Sequence, residues 1–552
     1  MHFTLITTPN ASRHAPRLGK VILKRPTHSE KGCLFPTPNF LTSTSRGVVP
    51  HLSRDHHNRT EAIRWVNVPF ETFLDRNPPV PTLHQSEPQP LHAFLGFKPR
   101  QHVLSMTVRD SSDGRDMPPN GNDHVSVYCL RGVRKISPSD WRSHVSKCQP
   151  DVVVALSDVP FTEPPYSQRR LTKSIDRSAK WLADILRPIA PLVDTPESHL
   201  YRPTVLVHMA GGVSITARRA FSDNLRETLF GKEAQQVSPL RCLDDGVSGY
   251  TFDLVPLRLS LEATMKKAVD TEMAIESEFD PSSSRNLMST SHLIPLMKAS
   301  LESLPVTKLR LVNTCASPHE MLHLIRMIGV DLFDAHWAQN AANIGIALDF
   351  TFPAPPQDTC TNAAQKSAQP RVRTNGKRDL GHNLYEPAYA SDFSSFASCF
   401  APTTDSSSVQ GKLICPCLAC SPVTPKSKIC HGSPELEAEP STSMQITYRP
   451  PHTRAYLHHL LQTHEMSAHS LLVMHNLSVL DTFFAGVRNT IEMAGDVFEQ
   501  EVDRFIQTYD EDMVLFAEGA VNWRDVDLAR GKGRLAREKA RVISSSVSTP
   551  SA

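Results

Sequence analysis

Between residues 100 and 340, short apolar runs alternate with amphipathic stretches, and this alternation constrains the fold more than any other feature. "HVLSMTV", "VSVYCL", "DVVVALSD", "TVLVHMAG", "YTFDLVPL", "KLRLVNTC" and "VDLFDAHW" are mostly continuous and rich in β-branched residues. Such runs suit parallel strands buried on both faces. Between them lie segments of helical period. In 170–187, Leu171, Ile175, Leu182 and Ile185 fall on one side, with Pro188 closing the helix. "SPHEMLHLIRMIG" opens with Ser317 as N-cap, Pro318 at N1 and Glu320 at N3, and ends at Gly329. So many consecutive β-α units predict an α/β fold, a (β/α)8 TIM-like barrel. With 552 residues, 39% of them hydrophobic, the chain has material for that barrel and a further domain.

The first 29 residues hold no acid and carry Arg13, Arg17, Lys20, Lys24 and Arg25. That composition suits a transit peptide. However, "FTLITT" and "GKVILK" alternate as strands do, which is the reading preferred here. The barrel is assigned to 1–352, holding most of its strands. Residues 353–412 turn Pro-, Ser- and polar-rich and read as a low-complexity insertion. Residues 413–507 form a second region with a flexible insert at 421–452, helical from Arg454. The tail, 508–552, carries a run of Lys and Arg from Arg530 to Arg541, read as a solvated helix or frayed end. Net charge is only +2, so any nucleic-acid contact needs a local patch. No apolar run approaches the roughly 18 residues that span a bilayer.

Of 11 cysteines, three cluster in "CPCLAC": Cys415, Cys417 and Cys420. Three soft thiolates on one tight turn suit a tetrahedral zinc ion, which needs a fourth ligand. His452, His458, His459, His464, His469 and His475 all follow. "HEMSAH" is not a zinc-protease helix. Its histidines stand five apart, roughly 500° around a helix, whereas that site needs four. Spacing does not choose among the histidines, although His475 follows an apolar run at a turn-like His-Asn.

"CPCLAC", "RAYLHHLLQTHEM", "LLVMHN" and "FFAGVRNTIE" together resemble the zinc subdomain of the tRNA-guanine transglycosylases. The resemblance implies zinc ligands Cys415, Cys417, Cys420 and His475, one structural ion per subunit. Upstream, "SRHAPRLGKVIL", "TSRGVVPHLSRD" and "LHAFLGF" look like the opening of that family's non-catalytic subunits. "DVVVALSDVPFTEPPYSQRRLTKSIDRSAKWL", "HMAGGV" and "GVDLFDAHW" stand where the family has its base-pocket strand, Gly-Gly loop and nucleophile strand. By that alignment, Asp334 takes the nucleophile's place and Asp158 that of the aspartate that hydrogen-bonds the base.

Departures from the family pattern bear on chemistry. The "TDSGGFQ" segment is replaced by "HVLSMTVRDSSDG", where Asp110 is the nearest acid. "QGGV" reads "AGGV", with Ala210 for the amide. The paired "GGL" becomes "FDLVPL", and "PTRNARNG" becomes "AHWAQNAANIG". An active site of cooperating groups does not survive such losses piecemeal. The expected role is therefore non-catalytic, with Asp334 and Asp158 as relics. The expected partner is the catalytic subunit of a heterodimeric queuine tRNA-ribosyltransferase. Such a complex exchanges guanine for queuine at wobble position 34 of tRNAs with GUN anticodons, and this chain meets tRNA through it. The alternative is an active transglycosylase with Asp334 as nucleophile. The implied location is the cytoplasm, or the mitochondrial outer membrane by peripheral association.

Overall fold

The computed structural model of the protein describes residues 1–6, 12–25, 32–84, 89–159, 166–189, 203–272, 285–355, 369–398, 415, 417–420, 451–493 and 495–531. The chain divides into two compact units. The first comprises Met1–Asn58, Ile63–Trp337 and Phe484–Val502; the second comprises Arg59–Ala62, Ala338–Phe483 and Asp503–Ala552.

The first unit opens with β1 (His2–Leu5), β2 (Gly19–Leu23) and β3 (Cys33–Thr37), an antiparallel sheet. Next come β4 (Asn39–Ser43), β5 (Trp65–Pro69) and β6 (Val103–Thr107). An antiparallel hairpin, β7 (Val125–Cys129) and β8 (Gly132–Ile136), follows. Then come β9 (Val152–Val154), β10 (Thr204–His208), β11 (Val247–Asp253), β12 (Leu309–Asn313) and β13 (Leu332–Asp334). Strands β4, β5, β6, β9, β10, β11, β12 and β13 close into one barrel in that order, with every neighbour parallel and β13 returning to β4. The expected (β/α)8 barrel is what the chain forms. One strand is reassigned: "VSVYCL" is the first arm of the hairpin. Its place in the barrel goes to β4 and β5, "NFLTS" and "WVNVP", which lie before residue 100.

The sheet of β1–β3 closes the N-terminal end of the barrel. Val21, Leu23 and Phe35 share one core with Leu41, Trp65, Val103, Val152, Leu206, Leu309 and Leu332, which lie at or near the starts of barrel strands. "FTLITT" and "GKVILK" thus contribute strands, as their alternation predicts. Phe484 packs against Phe40 at 5.9 Å and Phe333 at 5.7 Å between ring centroids. A polar clamp ties the sheet to the barrel. The Asp331 carboxylate, fully buried, accepts from Arg17 Nε at 2.8 Å and from the Arg310 backbone N–H at 2.7 Å. Removing one partner of a buried ion pair strands the other charge, at a cost of about 3–5 kcal/mol. Asp331→Ala is therefore expected to lower unfolding stability by that amount, measured by urea denaturation; a change under about 1 kcal/mol contradicts the clamp.

Helix caps follow the sequence closely. Pro318–Ile328 is capped by Ser317, whose hydroxyl accepts from the Glu320 N–H, and ends at Gly329 with φ 67°. The expected 170–187 helix spans Gln168–Leu186, buries Leu171, Ile175, Leu182 and Ile185, and is capped by Ser167.

The second unit holds β14 (Ile346–Leu348) and β15 (Gly381–Asn383), an antiparallel pair, and the helix Arg454–Gln462. The helix Met466–Glu492 contributes its residues up to Phe483. By length and composition that 27-residue helix could span a membrane, but 67% of its most apolar window is buried, as in a core helix. Part of the stretch read as the 353–412 insertion is ordered core: Leu380, His382, Asn383, Leu384 and Phe396 are buried. Residues 356–368 and 399–412 of that stretch lie outside the described residues, as do 421–450 of the second insert and the basic run from Lys532. The tail region contains a helix, Val514–Gly531.

Candidate functional site

Two constellations emerge, one in each unit. In the second unit, Cys415, Cys417, Cys420 and His475 converge, their ligand atoms all within 4.8 Å of one another and all four residues buried. The Cys420 N–H donates to the Cys417 carbonyl at 3.2 Å, making the turn that gathers the thiols. His475 Nδ1 lies 3.6, 3.8 and 3.4 Å from the three sulfurs in chain order. A four-coordinate ion with bonds of about 2.3 Å to sulfur and 2.0–2.1 Å to nitrogen sets an S···N edge of about 3.5 Å. The group could hold such an ion. The tautomer agrees: Nε2 lies 2.9 Å from the Leu348 carbonyl, an acceptor only, so Nε2 carries the hydrogen and Nδ1 offers its lone pair.

His475 does not sit at a turn, as its His-Asn setting suggested, but midway along Met466–Glu492. A helix fixes the ring more firmly than a turn, and Phe396 packs edge-on against it at 5.4 Å. Three of the other histidines are engaged elsewhere, and His459 is exposed. His458 Nδ1 meets the Leu384 carbonyl at 2.9 Å and His469 Nδ1 the Ala342 carbonyl at 3.0 Å, while His452 stacks on Tyr456. His464 lies between two helices with φ 62°, so "HEMSAH" is not one helical face.

The second constellation is the C-terminal mouth of the barrel, where βα-loops build active sites in folds of this kind. A cleft of about 630 Å³ is lined there by Arg109, Asp110, His208, Asp253 and Asn313, among others. An adjoining hollow of about 410 Å³ is lined by Asp158, Tyr166, Ala210, Gly211, Gly212 and Arg218.

Asp158 is buried and fully engaged. Arg170 grips both carboxylate oxygens at 2.8 Å, Arg177 adds a contact at 3.0 Å, and Asn120 Nδ2 donates at 2.9 Å. Ser174 and Ser178 bond its backbone, so one face of Gln168–Leu186, at i, i+4, i+7 and i+8, is built around this residue. Sequence reading missed Arg170, Arg177 and Asn120. The helical spacing of the first two was the available signal; Asn120 offered none.

The remaining acids of the mouth have separate fates. Asp110 accepts from Ser112 N–H at 2.9 Å and Oγ at 2.7 Å, capping its own loop. Asp253 is bound by Asn313 Nδ2 at 2.7 Å and lies 3.3 Å from His208 Nε2. Burial pushes its pKa up, but His208 and Asn313 outweigh that and hold it below the ordinary range. Asp334, at the end of β13, accepts from the Thr314 N–H at 2.9 Å through one oxygen, while the other has no hydrogen-bond partner. Burial raises its pKa to about 6, with Asp253 and Asp110 adding to the rise and His336 opposing it.

Glu71, 4% exposed, is also raised by burial, to about 7 from 4.5, against the Asp110 N–H bond that favours its charged form. A raised carboxyl contributes stability that is full below about pH 4.5 and lost as pH rises through about 7. At 1.36 kcal/mol per unit the loss is on the order of 3 kcal/mol. Glu71→Gln keeps the acceptor and removes the charge. Melting curves from pH 4.5 to 8 should show the variant equal to the parent in acid and more stable at pH 8. A parallel pH profile in both proteins contradicts this.

A family model described as queuine tRNA-ribosyltransferase matches residues 13–234 and 437–511, segments that include Asp158 and His475. Similar curated proteins share one description, queuine tRNA-ribosyltransferase accessory subunit 2. The relative from Schizosaccharomyces pombe is 23% identical over 481 residues, covering 87% of this chain and 80% of its own length. The Aedes aegypti relative is 22% identical across 94% of this chain and 95% of its own length, and the Drosophila persimilis relative 24% identical across 88% of each.

Proposed function

Because the chain belongs to the queuine tRNA-ribosyltransferase family, we propose that it acts as the non-catalytic partner of a catalytic subunit in a one-to-one heterodimer. The reaction of that complex is exchange of guanine for queuine at wobble position 34 of tRNAs with GUN anticodons, and this chain reaches tRNA through the complex. The name shared by the relatives, accessory subunit 2, supports the reading. The observation that carries it is the state of Asp158.

Base exchange needs a carboxylate to attack the ribose anomeric carbon and further groups to recognise and protonate the base. In this mouth the carboxylate aligned with base recognition is spent on Arg170, Arg177 and Asn120. Ala210 stands where an amide would read the base, and Asp110 caps its own loop. Asp334 keeps one oxygen without a hydrogen-bond partner. A lone nucleophile without its cooperating groups retains little of the rate enhancement.

In this reading the metal is zinc, one per subunit, held by Cys415, Cys417, Cys420 and His475 within the subdomain of residues 413–507. Four protein ligands leave no open coordination position, so its role is structural. The place of action in this reading is the cytoplasm, or the mitochondrial outer membrane by peripheral association. Co-purification with the catalytic subunit tests the proposal. A one-to-one complex with one zinc per copy of this chain is expected, and Asp334→Asn should leave queuine incorporation by that complex unchanged. No complex, or a large loss with Asp334→Asn, overturns it.

A further inference from the structure

We infer that Asn476 and Asp349 are positioning residues of the metal centre, holding the Leu348–Asp349 backbone from two sides so that the Leu348 carbonyl orients His475. The inference rests on the reading of Cys415, Cys417, Cys420 and His475 as metal ligands. The Leu348 carbonyl receives the His475 Nε2–H at 2.9 Å, and this bond leaves Nδ1 facing the three sulfurs. A carbonyl can orient a ring only if its own strand is fixed, and β14 is just three residues long.

Asn476, next to His475 and fully buried, supplies half of that fixation. Its side-chain oxygen accepts from the Leu348 N–H at 3.0 Å, and its Nδ2 donates to the Ile346 carbonyl at 3.0 Å and the Ala338 carbonyl at 3.2 Å. Adjacent residues of one helix therefore grip the two polar groups of Leu348, the histidine its carbonyl and the asparagine its N–H. The His-Asn pair works as a unit, the amide supplying one acceptor and two donors to the strand and its surroundings.

Asp349 supplies the other half. Its Oδ2 accepts from the Ser398 N–H and Oγ at 2.7 Å each and from His382 Nε2 at 3.0 Å. His382 Nδ1 in turn receives the Tyr389 hydroxyl at 3.0 Å, and the Arg454 guanidinium lies 3.7 Å from the same carboxylate oxygen. These bonds join β14 to β15 and to the 394–398 stretch, whose Phe396 packs on the His475 ring. A carboxylate with this many donors, at 2% exposure, fixes backbone direction without touching the ligands.

Outer partners of metal-bound histidines typically change metal affinity by about 10–100-fold when removed. The test uses the full chain loaded with Co²⁺, whose visible absorption reports ligand geometry, together with chelator competition for Zn²⁺. Asn476→Ala and Asp349→Asn are expected to weaken affinity by about 10-fold or more and to shift or broaden the Co²⁺ bands. Asn476→Asp, which turns a carboxyl oxygen toward the Ile346 and Ala338 carbonyls in place of two donors, should weaken affinity at least as much as alanine. If a variant does not fold, Ser398→Ala, which removes one hydroxyl bond to Asp349, is read in the same assay and should weaken affinity measurably. Affinity within twofold of the parent and an unchanged spectrum overturn the inference. If the parent itself binds no Co²⁺, the ligand assignment fails instead.

Discussion

His475→Ala is expected to release the metal and unfold the second unit. Three thiols at 2–3% exposure would then be buried without the ion that neutralises them, and the Leu348 carbonyl would lose its donor. Metal binding at structural sites of this ligand type contributes about 10–16 kcal/mol in small peptides, and a stranded carbonyl costs about 1–3 kcal/mol more. In a protein with a separate barrel core part of that is retained, so a loss of about 5 kcal/mol is a conservative expectation. For a unit of this size it corresponds to a fall of about 10–20 °C in melting temperature. Cys417→Ala should behave alike. Chelation of the unaltered protein supplies the control: it should reproduce the variant's melting curve, and zinc alone should restore the original one. If metal content and melting temperature both survive His475→Ala, the ligand set is wrong.

Parts of this architecture were legible in the chain and parts were not, for separable reasons. Buried parallel strands and capped helices announce themselves locally, and Pro318–Ile328 begins and ends where Ser317, Pro318, Glu320 and Gly329 place it. Strands β4 and β5 did not, because Asn39, Thr42 and Asn67 interrupt the apolar run, and a polar strand residue in a barrel is explained only by the closed structure. "VSVYCL" misled in the other direction. Its residues are β-formers that pair with β8 in a hairpin, which periodicity cannot tell from a barrel strand. The helix around His475 is buried on most sides, so "LLVMHNL" lacks the polar face that marks a helix in sequence.

The candidate sites divide likewise. The cysteines lie on one turn and were visible from spacing alone. Their histidine came from family resemblance, and only the structure shows why Nδ1 is free to bind. The state of Asp158 was beyond local reading, since Asn120 stands 38 residues away and Arg170 and Arg177 look like any solvated helical pair until the chain folds. Composition also hid the ordered part of 353–412. Pro- and Ser-rich flanks masked His382, which bonds Asp349, and Phe396, which packs on the His475 ring.

The second large effect concerns activity. If Asp158 is locked and Asp334 lacks cooperating groups, this chain alone should exchange guanine into tRNA at a rate at least about 1,000-fold below that of the assembled complex. That factor is about 4 kcal/mol of lost transition-state stabilisation, modest for an active site missing several members. Asp334→Asn in the complex should change the rate less than twofold, whereas loss of a working nucleophile would cost several orders of magnitude. The direct measurement is incorporation of labelled guanine into tRNA by this chain alone, by the catalytic subunit alone and by their mixture, with Asp334→Asn in a parallel mixture. Activity that requires the mixture and ignores Asp334→Asn is the predicted result. Exchange by this chain alone that disappears with Asp334→Asn would contradict it and make the chain an enzyme in its own right.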